Sequence, residues 1–132
     1  MGRREARYFD LAKREARSST FEQYRLGAVI TNGNYVVSRG HNKPKSHPMQ
    51  LRYEKYRGRT GIRNHVHAEV DALIRSGYED LTGCEIFVYR ETKAGLLANS
   101  RPCPACMQAI KDSGIQYIHF TSEDGIKSIA LY

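Results

Sequence analysis

The stretch Pro102-Cys103-Pro104-Ala105-Cys106-Met107-Gln108-Ala109-Ile110-Lys111-Asp112-Ser113-Gly114 decides how this chain is read. It predicts a helix over 102–113 with Gly114 where a C-terminal glycine belongs, and residues 115–121 behind it have strand composition. Cys103 and Cys106 lie at i and i+3 in the first turn, where they share a face and where the helix dipole lowers a thiol pKa. Pro102 and Pro104 are tolerated there because first-turn amides lack intrahelical acceptors. Upstream, His67-Ala68-Glu69 opens a second predicted helix, 67–76, ahead of Gly77. One imidazole and two thiolates form a zinc donor set with a fourth position open, as catalytic sites require. Glu69 is too close in sequence to His67 to bind the same ion but can reach the water that the metal activates, which makes it the candidate proton carrier. A closed structural site would need His41, His47 or His65 as fourth ligand. The lone His far upstream, with its Glu two residues on, does not match the paired His spacing of a Cys2His2 knuckle.

Outward from these helices, Ala6, Phe9, Leu11, Ala12 and Ala16 recur at helical spacing, so 3–17 reads as an amphipathic helix. Residues 24–31 and 35–39 are strands around the turn Asn32-Gly33-Asn34, an antiparallel hairpin. Residues 40–64 show no sustained periodicity and read as a long, substrate-facing loop. A strand follows at 85–90 and a loop at 91–100, and the tail beyond 122 fits either a strand at 126–131 or a short helix. Strands alternating with helices imply a layered α/β domain.

The chain has 132 residues, 40% of them hydrophobic, which suits a single domain with one core, residues 1–132. No stretch is apolar enough to cross a membrane, and the charged N-terminal sequence lacks a signal peptide's apolar region, so a reducing cytoplasm is expected. Cys84, the third cysteine, reads as a small strand residue. A formal charge of +7 suggests an anionic partner, a nucleotide phosphate or a nucleic-acid backbone, the plain alternative being a soluble basic protein. The insert at 43–64 carries Lys43, Lys45, Arg52, Lys55, Arg57, Arg59 and Arg63, interleaved with Tyr53 and Tyr56, against the single acid Glu54. That composition suits a nucleotide or a single strand; a solvated loop is the alternative.

With these residues located, the chain resembles the cytidine deaminase superfamily. Leu26-Gly27-Ala28-Val29-Ile30, Gly40-His41-Asn42, His67-Ala68-Glu69, Pro102-Cys103 through Cys106, and Ser113-Gly114-Ile115 match the family's motifs in order. The resemblance implies a three-layer α/β/α fold with a central mixed sheet, zinc on His67, Cys103 and Cys106, and Glu69 as the catalytic acid and base. It also implies substrate contacts from Asn42 to the sugar, from backbone amides near Ala68 and Cys103 to the base with Pro102 among the substrate-binding residues, and from Phe120 as a stacking ring, with an ordinary core role as the alternative for Phe120. Within the superfamily the chain is most similar to deoxycytidylate deaminases and their phage-encoded relatives, departing from them at Asp71 and Arg101. The expected activity is conversion of a cytosine-type nucleotide, dCMP to dUMP, in the cytoplasm or in a phage host's cytoplasm, by a homo-oligomer. A deaminase of single-stranded DNA or RNA and a nucleic-acid-binding protein with a vestigial deaminase fold are the competing readings.

Overall fold

In the computed structural model, which describes residues 2–58, 65–77 and 80–131, alternation along the central strands sorts side chains onto two faces of one mixed sheet. The strands are β1 (Tyr24–Asn32), β2 (Tyr35–His41), β3 (Glu85–Thr92), β4 (Leu97–Ala98), β5 (Tyr117–Ser122) and β6 (Gly125–Ala130), ordered β2-β1-β3-β5-β6 with the short β4 on β3. Only β3 and β5 run parallel; the other pairs are antiparallel. Helix α1 (Arg3–Ala16) covers one face, and α2 (Pro48–Tyr53), α3 (Ala68–Arg75) and α4 (Pro104–Ser113) pack on the other. This is the three-layer α/β/α arrangement expected.

Under α1 lie Val29, Phe87 and Tyr89 with Tyr8, Phe9, Ala12 and Ala16, and Phe87 meets the Tyr8 and Phe9 rings at centroid distances of 5.2 and 5.3 Å. Alternate residues Leu26, Ala28, Ile30, Ile86, Val88, Ile118 and Phe120 face α3 and α4 and make the larger core. Two glycines set how closely the helices approach. A Cβ on Gly27 would lie 2.0 Å from the Ala12 carbonyl oxygen of α1, and one on Gly40 would lie 2.3 Å from the Ala72 nitrogen of α3. Each helix backbone rests directly on a strand because no side chain intervenes.

Three expectations need correction. Residues 40–64 are not all loop: Pro48 at the first helical position starts α2, His47 Nδ1 accepts from the Met49 amide at 3.0 Å, and a 3₁₀ turn runs through Glu54–Arg57. The buried positions of this segment are Gln50, Tyr53 and Glu54, at i, i+3 and i+4, and two of the three are polar, so a hydrophobic pattern does not show the helical period. The loop expected at 91–100 is instead the end of β3 and its return through β4. The predicted helix 102–113 starts two residues late, because Pro104 pushes Cys103 into extended backbone (φ −66°, ψ 165°). The tail takes the strand alternative, with β6 antiparallel to β5.

Past Val88 and Phe120 the parallel strands β3 and β5 separate, and Ser100 is wedged into the gap. Its amide donates to the Thr121 carbonyl at 2.8 Å, and its hydroxyl donates to Val88 O at 2.7 Å and accepts from Thr121 N at 2.7 Å. A split at the carboxyl ends of parallel strands is where open α/β sheets form ligand crevices.

Candidate metal centre and active site

The N-termini of α3 and α4 meet at this crevice, and each is capped by a candidate ligand, His67 for α3 and Cys103 for α4. Cys106 follows in the first turn of α4. His67 Nδ1 lies 3.5 Å from Cys103 Sγ and 3.3 Å from Cys106 Sγ, close to the separation of about 3.6 Å that tetrahedral zinc with ordinary Zn–N and Zn–S bonds imposes. Among the described residues these three form the single cluster able to hold a metal, and their ligand atoms all lie within 4.8 Å of one another. No fourth protein ligand from the described residues joins them: His41 pairs with Glu15 at 2.7 Å, His47 caps α2, and His65 stacks on Phe21 at 4.0 Å and bonds the Tyr24 hydroxyl at 3.1 Å. The donor set therefore fits a zinc ion with an open position.

Of the three donors, Cys103 is already held as a thiolate. The two thiols share one proton: the hydrogen bond from Cys106, opposed by burial and aided by His67, lowers Cys103 to about 4, while the same bond and complete burial raise Cys106 well above a free thiol. His67 is disfavoured as a cation by burial, yet Cys103 and Glu69 outweigh this and raise its pKa. Two helix N-termini add positive potential where the thiolate sits.

Glu69, in the first turn of α3, is 2% exposed, and its Oε1 has no hydrogen-bond partner. Burial pushes its carboxyl up to about 7, against the pull of His67. A buried carboxyl oxygen left unpartnered costs stability, so its setting speaks for a use beyond packing.

Behind the imidazole stands a brace that sequence reasoning missed. The His67 amide donates to Gln50 Oε1 at 3.1 Å, Gln50 Nε2 donates to Glu54 Oε1 at 2.7 Å, and Arg57 Nη1 donates to both Glu54 oxygens at 3.2 Å while lying 3.4 Å from His67 Nε2. Gln50 and Glu54 are fully buried. The insert thus supplies the support of a metal ligand, and Glu54, the one acid among its cations, is the residue on which that support turns.

The centre opens into a cavity of about 140 Å³ lined by Tyr24, Leu26, Arg57, His67, Glu69, Arg90, Asn99, Ser100, Arg101 and Cys103. A larger cleft of about 410 Å³ lies between α2, α3 and α4, away from these groups.

A model of the cytidine and deoxycytidylate deaminase zinc-binding region matches residues 3–122. The chain belongs to that family. It is accordingly a zinc-dependent hydrolytic deaminase, acting on a C–N bond. Its fold is shared with the crystal structure of dCMP deaminase from the cyanophage S-TIM5 in apo form, at 20% identity and a TM-score of 0.60 over 88% of this chain and 81% of that one. The same cyanophage protein in complex with dCMP and dUMP matches with equal identity and TM-score over 88% and 79%. No curated protein matches the chain at a significant level.

In this deaminase the residues expected to meet the substrate divide sharply. Glu69 and Cys103 line the cavity, and Asn42, Ala68, Pro102 and Phe120 are not among the described residues that do. Asn42 is fully buried and braces β1: its Oδ1 accepts from Leu26 N at 3.0 Å and its Nδ2 donates to Tyr24 O at 3.1 Å. Both bonded residues belong to the cavity wall. Ala68 and Pro102 are buried beside the ligands, and Phe120 belongs to the core, with the Arg101 guanidinium 5.8 Å from its ring centroid. Asp71, the departure in the His67 segment, accepts from the His41 amide at 3.1 Å and from Lys43 Nζ at 2.9 Å, so an acid there is matched by a lysine of the insert. Of the insert's cations, Lys43 and Arg57 are thus engaged internally, and Arg59 and Arg63 lie outside the described residues. Tyr24, Arg90 and Asn99 are wall residues that no motif announced; a charged Arg90 at the end of the apolar run of β3 was the one available signal.

Proposed function

We propose that this deaminase converts deoxycytidine monophosphate and water to deoxyuridine monophosphate and ammonia. The observation that carries the reading is the unpartnered Glu69 oxygen beside the His67, Cys103 and Cys106 cluster in a cavity of about 140 Å³. Ligand pockets that swallow a whole small molecule run to about 300 Å³ and more, so this space suits one pyrimidine ring with the sugar and phosphate at its mouth. The cyanophage deaminase of the same fold, which binds dCMP and dUMP, supports the choice. His67, Cys103 and Cys106 would hold the zinc, which when bound lowers the pKa of water enough to supply a nucleophile at neutral pH. Glu69 takes the proton that the water gives up and delivers it to the ring nitrogen next to the carbon that bears the amine. It then carries the second proton to the amine, which leaves as ammonia while oxygen takes its place. A buried carboxyl beside the metal ligands, with one oxygen unpartnered among the described residues, is placed for both transfers.

A polynucleotide substrate is the second reading, favoured by a cleft of about 360 Å³ beyond Tyr24 that is lined by Phe21, Arg25 and Lys93 among others. Aromatic and cationic groups in one groove suit a flanking nucleotide. A panel of cytosine, cytidine, deoxycytidine, their mono- and triphosphates, adenosine and short oligonucleotides, scored by the mass change from amine to oxygen, tests both. Turnover of the deoxy monophosphate without turnover of oligonucleotides supports the first reading; steeply salt-dependent turnover of oligonucleotides alone replaces it with the second. Assembly as a homo-oligomer and action in a cytoplasm complete the proposal, the former checked by light scattering. Among the described residues no helix is long and apolar enough to cross a membrane.

A further inference from the structure

Among the described residues three guanidinium groups line the cavity, and their surroundings differ. Arg57 is held by both oxygens of Glu54. Arg101 is exposed at the rim. Arg90 is half-buried on β3, opposite Leu26 of β1 and Ala98 of β4, and its buried Nε has no hydrogen-bond partner among the described residues. Among the described residues no carboxylate pairs with it; its neighbour is the Tyr24 ring, with the guanidinium carbon 4.1 Å from the centroid. A ring face steers and steadies a guanidinium but does not neutralise it. Glu69 is the one acid among the described wall residues, and it lies beside the metal ligand His67. A cation withdrawn from water without a counter-ion is costly to keep, and an anionic ligand removes that cost. Arginine's planar fork is also the group that matches two phosphate oxygens at once.

We propose that Arg90, steadied on Tyr24, is the specificity-determining residue that binds the terminal phosphate of a pyrimidine mononucleotide at the mouth of the cavity. This rests on the reading that the cavity takes a cytosine nucleotide. The test has two arms on the zinc-loaded protein. In the first, calorimetry compares binding of dUMP, deoxyuridine and inorganic phosphate to the parent protein, Arg90→Met and Arg90→Lys. Losing charge-assisted hydrogen bonds should weaken dUMP about 10- to 100-fold in Arg90→Met, with Arg90→Lys between the two and inorganic phosphate lost in parallel. In the second, the ratio of kcat/KM for dCMP to that for deoxycytidine should collapse by a similar factor, chiefly through KM. Equal losses on dCMP and deoxycytidine, or dUMP binding that ignores Arg90→Met, overturn the assignment even where dCMP is turned over. A larger loss on a cytosine-containing oligonucleotide than on dCMP overturns it in favour of an internal phosphodiester. Failure of the parent protein to turn over dCMP, with dUMP binding still dependent on Arg90, would sink the proposed reaction and leave the phosphate site standing. Thermal melting without ligand separates a packing role: a phosphate residue predicts an unchanged or higher melting temperature for Arg90→Met, and a fall confined to the ligand-free protein, with dUMP affinity intact, overturns it.

Discussion

Helices α1 and α3 dock on the sheet by the same device, a glycine that lets helix backbone touch strand backbone, yet only α3 buries acids among its apolar residues. Beneath α1 the buried helix residues are Tyr8, Phe9, Ala12 and Ala16, and the Tyr8 hydroxyl is satisfied by donating to Gly33 O at 3.0 Å. At α3 the same close approach carries His67, Glu69 and Asp71 into the interior, of which Glu69 keeps an oxygen unpartnered. One docking supplies rigidity, and the other uses rigidity to hold groups that would not stay buried by themselves. Stability and chemistry should therefore separate when each side is altered.

The largest separation is expected at the ligands. Cys106→Ala should reduce bound zinc, measured by atomic absorption after dialysis, from about one per chain to near none, and deamination should fall by at least about a thousandfold, since the ion supplies the nucleophile. Phe87→Ala on the α1 side should lower unfolding free energy by about 3–5 kcal/mol in urea denaturation while the folded fraction keeps its zinc. Loss of zinc from well-folded Phe87→Ala protein would break the comparison.

Glu69 sharpens it through pH. Its folded pKa of about 7 lies above the usual value near 4.5, so the folded carboxyl retains a proton that the unfolded chain releases. Zinc-free parent protein should hold its full contribution from this group below about pH 4.5 and lose about 3 kcal/mol as pH rises to about 7 and beyond. Glu69→Gln should remove that loss, stabilising the zinc-free protein above neutrality and leaving stability near pH 4 little changed. A parent and variant with parallel stability profiles from acid to neutral pH would show that the carboxyl is not strained by burial. The smallest effect belongs to the brace: Glu54→Gln should weaken zinc about 10- to 100-fold in chelator competition through looser positioning of His67, with kcat recovered at saturating zinc.

The metal site was legible because its requirements are local: Cys103 and Cys106 occupy one turn, His67 opens another, and each residue type has few other uses in that pattern. The sheet and α1 were legible from alternation and helical spacing. The insert was not, since α2 and the 3₁₀ turn bury the polar Gln50 and Glu54 beside Tyr53 and so show no sustained apolar stripe, and since Gln50 and Glu54 gain meaning only when tertiary folding brings them behind His67. The cavity wall was hidden for a related reason. Tyr24, Arg90 and Ser100 come from three separate strands or turns, and Ser100 is placed by the divergence of β3 from β5, which no single segment encodes. Asn42 shows the converse limit: its position could be recognised, but only its neighbours reveal that its amide braces Leu26 and Tyr24.

The central claim is that Glu69 moves the protons of a hydrolysis at the His67, Cys103 and Cys106 centre. It is tested most directly by measuring ammonia released from dCMP by parent and Glu69→Gln protein, with zinc quantified in the same samples. The account predicts one ammonia per dUMP from the parent, and a rate lower by about 10²- to 10⁴-fold in Glu69→Gln at unchanged zinc content. Parent-like ammonia release from zinc-loaded Glu69→Gln would contradict it.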